Sequence, residues 1–239
     1  MKNVKILSTI NLIGFAFLMY ASYLFRTKQT AFNKDLDPLF NPAPYTFSIW
    51  MVIFIGLIIW IIKGFFAKDN IKELYLNISF WFVACMILNG VAVLVPTKIS
   101  ALVIIGALAT SLIIYHISDK FNIAKRYRIP FSLLSGWLSV ATIVNISKAL
   151  RNFGITNILG IGQVGWTNIL LVVGAILAIL FTVIRNDILY PLVFIWGYIG
   201  ILVQNKDINS IVYTSIAMIA VIGAGIVYGR IRNNRSVRN

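Results

Sequence analysis

Aromatic rings that lead into an apolar segment are the first residues whose type and spacing suit a ligand. Phe47, Trp50 and Phe54 are separated by three and then four positions. On a helix this spacing places all three rings on one face, just inside a membrane boundary. Such rings can stack on a flat apolar molecule, and they can equally form the interfacial aromatic belt of a membrane protein. The spacing by itself leaves both interpretations open.

Amide side chains inside apolar segments are the second candidate for binding chemistry. Asn89 lies in the middle of one segment, and Asn145 shares a helix face with Trp137 and Ala141, because these three residues are four positions apart. Polar groups within a membrane tend to face protein or water. The amides could hydrogen-bond a ligand, with Ala141 leaving room for it. They could instead hold neighbouring helices together, which the spacing alone favours.

Residues for acid–base, metal or nucleophilic catalysis are scarce. The chain has one His and one Cys, too few for the usual ligand sets of zinc or haem. The first five apolar segments contain no deep carboxylate, which a proton pump or an acid–base enzyme would need. Asp187, the one acid near the core of a segment, is interpreted as a solvated or helix-capping residue. The sequence therefore predicts no catalytic residue, no metal site and no required cofactor.

The elements that carry these residues are predicted to be membrane-spanning helices. Apolar residues make up 59% of the 239-residue chain, charged residues make up 12%, and the mean hydropathy is +0.88. Apolar segments of roughly the length that a bilayer requires lie at residues 6–25, 45–66, 74–95, 99–118, 130–150, 166–184, 187–203 and 210–229. The predicted fold class is an all-α, polytopic transmembrane helix bundle of about eight spans. The first segment is assigned as a retained helix, since its apolar run is longer than that of a signal peptide.

The connections between these segments predict how the chain lies in the membrane. Pro42 and Pro44 block regular helix and sheet pairing, so the loop before the second segment is predicted to be irregular, with Pro44 in a first helical turn. The net charge of +14 arises from Lys and Arg in the connections and at the C-terminus, and is attributed to contact with anionic lipid, not with nucleic acid. About two thirds of these residues share a side with both termini, which predicts cytoplasmic N- and C-termini and an external proline loop.

Three stretches together resemble the TspO/MBR family of tryptophan-rich sensory or translocator proteins. Residues 42–50 resemble the proline pair, Phe and Trp that lead into the second helix of that family. Residues 88–89 resemble the Leu-Asn of its third helix, and residues 137–145 resemble the Trp, Ala-Thr and Asn of its fifth. The chain departs from the family pattern at Ala43, which separates the prolines, and at Ala92, where the family usually has Trp.

The resemblance implies a TspO-like five-helix bundle at residues 1–152, followed by three additional transmembrane helices and a basic tail at residues 153–239. It implies a membrane sensor or receptor with an aromatic-lined pocket for a flat hydrophobic ligand, either a tetrapyrrole or a lipid-like molecule. The predicted ligand-binding residues are Pro44, Phe47, Trp50, Phe54, Asn89, Trp137, Ala141 and Asn145. The expected partners are membrane lipid, the hydrophobic small molecule and a second copy in a homodimer. The expected location is a bacterial inner or plasma membrane.

Two other functions are open from the sequence. A small transporter or permease is compatible with eight helices and with Pro191 and Gly197 interrupting the seventh segment, although the chain shows no internal repeat and few intramembrane charges. The other is an enzyme that acts on the bound ligand, as in the light-dependent porphyrin degradation reported for some family members. The sequence offers no base or metal for such a reaction. The sequence therefore favours a binding protein, with a transporter as the alternative.

Overall fold

Eight α-helices make up most of the part of the chain that the structure describes. The computed structural model describes residues 4–28, 37–121 and 125–236. The helices are α1 (Val4–Lys28), α2 (Ile49–Phe65), α3 (Asp69–Leu94), α4 (Thr97–Lys120), α5 (Ile129–Asn152), α6 (Gln163–Arg185), α7 (Leu189–Gln204) and α8 (Asn209–Ser236). Short 3-10 helices at Pro44–Ser48 and Lys125–Tyr127 precede α2 and α5. Seven helices are long and apolar enough to cross a membrane, the second when the 3-10 helix is counted together with α2 as Pro44–Phe65, and α7 is a shorter apolar helix. The predicted all-α, polytopic bundle is confirmed.

The tight connection between α6 and α7 explains the role of Asp187, the acidic residue that the sequence places near the core of an apolar segment. Asn186 ends α6 in the left-handed conformation, with φ of 51°, a geometry that asparagine tolerates at helix ends. Asp187 Oδ1 then accepts hydrogen bonds from the backbone N–H groups of Leu189 at 2.9 Å and Tyr190 at 3.2 Å. These are N–H groups that the first turn of a helix leaves without helical partners. Asp187 therefore caps α7, as the sequence suggested, although it is buried and not solvated.

The chain divides into two compact units. The first unit comprises the described parts of Met1–Asp35 and Ile49–Asn145, and the second comprises those of Leu36–Ser48 and Ile146–Asn239. The proline loop is thus grouped with α6, α7 and α8, and α5 passes from the first unit to the second after Asn145. The division at residue 152 that the family resemblance implies stays a prediction.

A cluster of aromatic rings around Trp60 forms the core of the first unit. In the same unit, α3 packs against α1 and α4. Trp60 stacks on Tyr75 and Phe82 of α3, with ring centroids 4.4 and 5.0 Å apart. Phe131 of α5 meets Trp60 edge-on at 5.1 Å. The Tyr75 hydroxyl donates a hydrogen bond to the Trp60 carbonyl at 2.5 Å. Gly64 allows this close approach, because a Cβ there would lie 2.7 Å from the Tyr75 ring.

The second unit is organised along one face of α7. Tyr190, Phe194 and Tyr198 are four residues apart, so they form a column on that face. The Tyr190 ring stacks on Phe181 of α6 at 3.8 Å. The Tyr198 hydroxyl donates to the carbonyl of Leu171, also in α6, at 2.6 Å. Helix α8 packs against both α6 and α7. Pro191 lies in the first turn of α7, and the helix continues through the position of Gly197, so neither residue interrupts it.

Candidate functional site

Two of the three aromatic rings predicted to share a face meet at the start of α2. Trp50 and Phe54 are half-buried and stack with ring centroids 5.1 Å apart. The Phe15 ring of α1 meets the Phe54 ring edge-on, with the two ring centroids 5.7 Å apart. This ring pair gives the first unit an aromatic surface of which a part remains accessible.

Phe47 does not lie on the α-helical face predicted for it, because α2 begins later along the chain than the sequence suggested. The Thr46 backbone N–H donates to the Ala43 carbonyl at 2.9 Å, which closes a four-residue turn. A 3-10 helix therefore runs from Pro44 to Ser48 before α2 begins at Ile49. The three- and four-residue spacing that aligns side chains on an α-helix does not apply across this change of winding. Phe47 is 43% exposed and, like Pro44, belongs to the second unit.

The predicted residues of α5 lie within the first unit. Trp137 is only 2% exposed, so it is a buried ring and not part of an interfacial belt. Ala141 is half-buried, and its carbonyl accepts a hydrogen bond from Asn145 Nδ2 at 2.8 Å. Asn145 Oδ1 accepts a second one from the Ser100 hydroxyl of α4 at 3.2 Å. Asn145 therefore forms a hydrogen bond between α5 and α4, as expected if its role is to hold neighbouring helices together.

Asn89 is also engaged inside the bundle. It is buried, and its Nδ2 donates to the Cys85 carbonyl one turn earlier at 2.9 Å. The Cys85 thiol in turn donates to the Ala107 carbonyl of α4 at 3.6 Å. The Ser100 hydroxyl, whose one hydrogen is shared between two acceptors, also lies 2.7 Å from the carbonyl of Ala92, one turn after Leu88. Helix α4 thus lies close to the backbone of α3 at this position.

Sequence reasoning missed the aromatic cluster around Trp60. Its members come from three different helices, and only Tyr75 and Phe82 share a helix, so no pattern in one segment could reveal the cluster. Trp60 Nε1 is buried and has no hydrogen-bond partner among the described residues, and the same holds for Thr142 Oγ1 in α5. A buried polar group without a partner is costly. These two atoms are therefore available to a polar group of a ligand or to water.

The proline loop lies against α7 in the second unit. The Trp196 indole N–H donates to the Thr46 carbonyl at 2.8 Å, and the Trp196 ring meets Tyr45 edge-on at 5.7 Å. Pro44 is exposed at the start of this 3-10 helix. Asp37 forms an ion pair with Lys148 at 3.1 Å. Of the predicted site residues, the structure thus joins Trp50 to Phe54 and Ala141 to Asn145, and it positions Pro44 and Phe47 on a loop held by α7.

The chemistry that these groups can perform is stacking and hydrogen bonding. Within residues 4–28, 37–121 and 125–236, no group of three or more His, Cys, Asp or Glu side chains could hold a metal ion. Long apolar helices with amides and aromatic rings between them define a polytopic integral membrane protein.

The family follows from the sequence as a whole. A family model described as TSPO-like protein matches residues 2–228, and the chain belongs to this family. The match continues through α6 and α7 and into α8, so it includes the helices that the resemblance had set apart as additional. No curated protein and no solved structure matches the chain.

Proposed function

We propose that this TSPO-like membrane protein binds a flat hydrophobic ligand, a tetrapyrrole or a lipid-like molecule, and acts as its receptor or sensor. The observation that carries the proposal is the half-buried, stacked pair of Trp50 and Phe54 in a chain of this family. A ligand ring system that stacks on this pair gains about 0.5–1.5 kcal/mol per aromatic contact beyond the burial of its area.

Polar recognition would come from a few groups in an otherwise apolar site, as is usual for such ligands. Asn145 already bonds Ser100 and Ala141, so its amide serves first to fix α5 against α4. Thr142 has a buried hydroxyl without a partner among the described residues. We therefore add Thr142 to the predicted set as a side chain with an unused hydrogen-bonding group, while Trp137 and Ala141 remain predicted apolar residues of the site.

Binding of a porphyrin probe tests the proposal. Protoporphyrin IX titrated into the purified protein in lipid nanodiscs should quench tryptophan fluorescence in a saturable way. Trp50→Ala should weaken the affinity at least about tenfold, since losing a ring contact and its buried area costs more than ~1.4 kcal/mol. The double variant Trp50→Ala and Trp137→Ala should abolish saturable binding.

The control is Trp166→Phe, which changes a tryptophan outside the predicted set. It should leave the porphyrin affinity unchanged and lower only the total fluorescence. Because Trp137 is buried, circular dichroism must first show that the double variant retains its helices. A folded double variant with the affinity of the parent protein would contradict the proposed site.

The proposal includes the orientation in the membrane. We propose that both termini face the cytoplasm of a bacterial inner or plasma membrane, because Lys and Arg are concentrated on the connections of that side. Reporter fusions that are active only in the cytoplasm should be active at both ends of the chain. Activity at one end alone would contradict an even number of spans.

A further inference from the structure

Residues 37–48, which we name the strap, run alongside the second half of α7 in the opposite direction. Three hydrogen bonds join the two. They run from Asn205 Nδ2 to the Leu39 carbonyl at 2.8 Å, from the Ala43 N–H to the Gly200 carbonyl at 3.0 Å, and from Trp196 Nε1 to the Thr46 carbonyl at 2.8 Å. Phe40 is buried and meets the Tyr198 ring edge-on at 6.5 Å. The contact therefore extends from the C-terminal end of α7 to its middle.

The length of α7 shows how deep this contact reaches. Helix α7 has 16 residues, which at ~1.5 Å per residue gives roughly 24 Å, less than the ~30 Å of a hydrocarbon core. Trp196 is near the midpoint of the helix, about 12 Å from its C-terminal end. A strap that reaches Trp196 therefore lies beside the middle of an apolar helix.

The outer face of the same half-helix is suited to lipid. Ile199 and Val203 are 37% and 45% exposed, and both are apolar. A half-helix that projected into water would expose these side chains to solvent at a cost of about 25 cal/mol per Å². This half of α7 is therefore covered by the strap on one side and presents an apolar surface on another.

The backbone of the strap is adapted to such a place. Irregular backbone is tolerated at membrane depth only where protein satisfies its polar groups. Pro42 and Pro44 have no N–H group to satisfy. The N–H groups of Asn41, Ala43 and Thr46 donate to Pro38, Gly200 and Ala43 carbonyls at 2.8, 3.0 and 2.9 Å. The two prolines thus remove donors from the part of the strap that meets the centre of α7.

We propose that the strap is inserted into the membrane beside α7, and that Trp196 is the positioning residue that holds it there. The strap covers the half of α7 that lies nearest one membrane boundary, and α7 crosses the bilayer with its two ends on opposite sides. The loop before α2 therefore enters the membrane ahead of the second span, which begins at Pro44, and is not a surface loop.

Site-directed spin labelling in proteoliposomes measures the depth of the strap. Cys85 is the single cysteine and is replaced in a Cys85→Ala background that is checked for folding. A nitroxide is then attached to Ser48→Cys at the end of the strap, to Val203→Cys on the exposed face of α7, or to Leu159→Cys, which is 91% exposed between α5 and α6. Collisions with oxygen report lipid, and collisions with a water-soluble nickel chelate report solvent.

The label at Ser48 should collide preferentially with oxygen, as the label at Val203 does, whereas the label at Leu159 should collide with the nickel chelate. A label at Ser48 that behaves like the one at Leu159 would overturn membrane insertion of the strap. A label at Val203 that prefers the nickel chelate would overturn the crossing of α7.

The role of Trp196 is tested by removing its N–H while keeping a ring. Trp196→Phe should shift the Ser48 label towards the nickel chelate and leave the Val203 label unchanged. Trp166→Phe is the matched control, because it removes an indole hydrogen bond of similar kind, to the Ile158 carbonyl at 3.1 Å, and should change neither label. An unchanged Ser48 label in Trp196→Phe, or equal changes in both tryptophan variants, would overturn the positioning role.

Discussion

Replacement of Gly200 by alanine is the most direct test of how the strap packs on α7. A Cβ at this position would lie 2.9 Å from Pro42 Cβ and 3.1 Å from Thr46 Cβ, and would also meet the Thr46 hydroxyl. The hydroxyl can rotate away. The two carbon atoms cannot, because they are attached directly to the backbone of the strap. The strap must therefore move, and this movement strains the hydrogen bond from the Ala43 N–H to the Gly200 carbonyl.

The magnitude follows from three terms. Inserting a methyl group into a tight contact costs about 1–3 kcal/mol, and loss of the hydrogen bond costs about 1 kcal/mol. Replacing a helical glycine by alanine stabilises the helix by at most about 1 kcal/mol, which offsets part of this loss. We therefore expect Gly200→Ala to lower the free energy of unfolding by about 1–3 kcal/mol.

Gly223 of α8 provides the matched control, because a Cβ added there meets nothing within 4 Å. Gly223→Ala should leave the free energy of unfolding unchanged or raise it by up to about 1 kcal/mol. Both variants would be measured by reversible unfolding in mixed micelles with increasing mole fraction of a denaturing detergent. If Gly200→Ala is as stable as Gly223→Ala, the close packing of the strap on α7 is refuted.

Substitutions at three further positions test the packing within each unit by the same unfolding measurement. Trp60→Ala should lower the free energy of unfolding by about 3–5 kcal/mol, because it removes the ring at the centre of the aromatic cluster; a loss below ~1 kcal/mol would contradict that central position. Tyr198→Phe should cost about 1 kcal/mol by removing its hydrogen bond to α6, and no change would mean that this bond contributes nothing. Asp187→Ala should lower the free energy of unfolding by about 0.5–2 kcal/mol because it uncaps α7, and Asp187→Asn should be closer in stability to the parent protein. Equal losses of stability in the two variants would mean that the charge of Asp187 matters and its capping does not.

The candidate site was predictable only in part. The ring pair of Trp50 and Phe54 is correctly placed together, because both residues lie on one α-helix and spacing alone sets their separation. Phe47 does not fit this rule, since the turn type before Ile49 depends on how the strap packs. Asn145 was identified as a polar residue within the membrane, but its partner Ser100 is 45 positions away. A sequence pattern identifies such a group without naming what it binds.

The sequence by itself determined that this is an all-α membrane protein of the TSPO-like family. Long uncharged segments can satisfy their backbone in lipid only as helices, so apolar length fixes the type and approximate bounds of each element. The tertiary structure alone decided that the rings of α2, α3 and α5 meet around Trp60. It also decided that the proline loop packs on α7, through a hydrogen bond between residues 150 positions apart. The physical reason is that helix formation is governed by neighbours along the chain, whereas the partner of a ring or an indole N–H is selected by packing between segments.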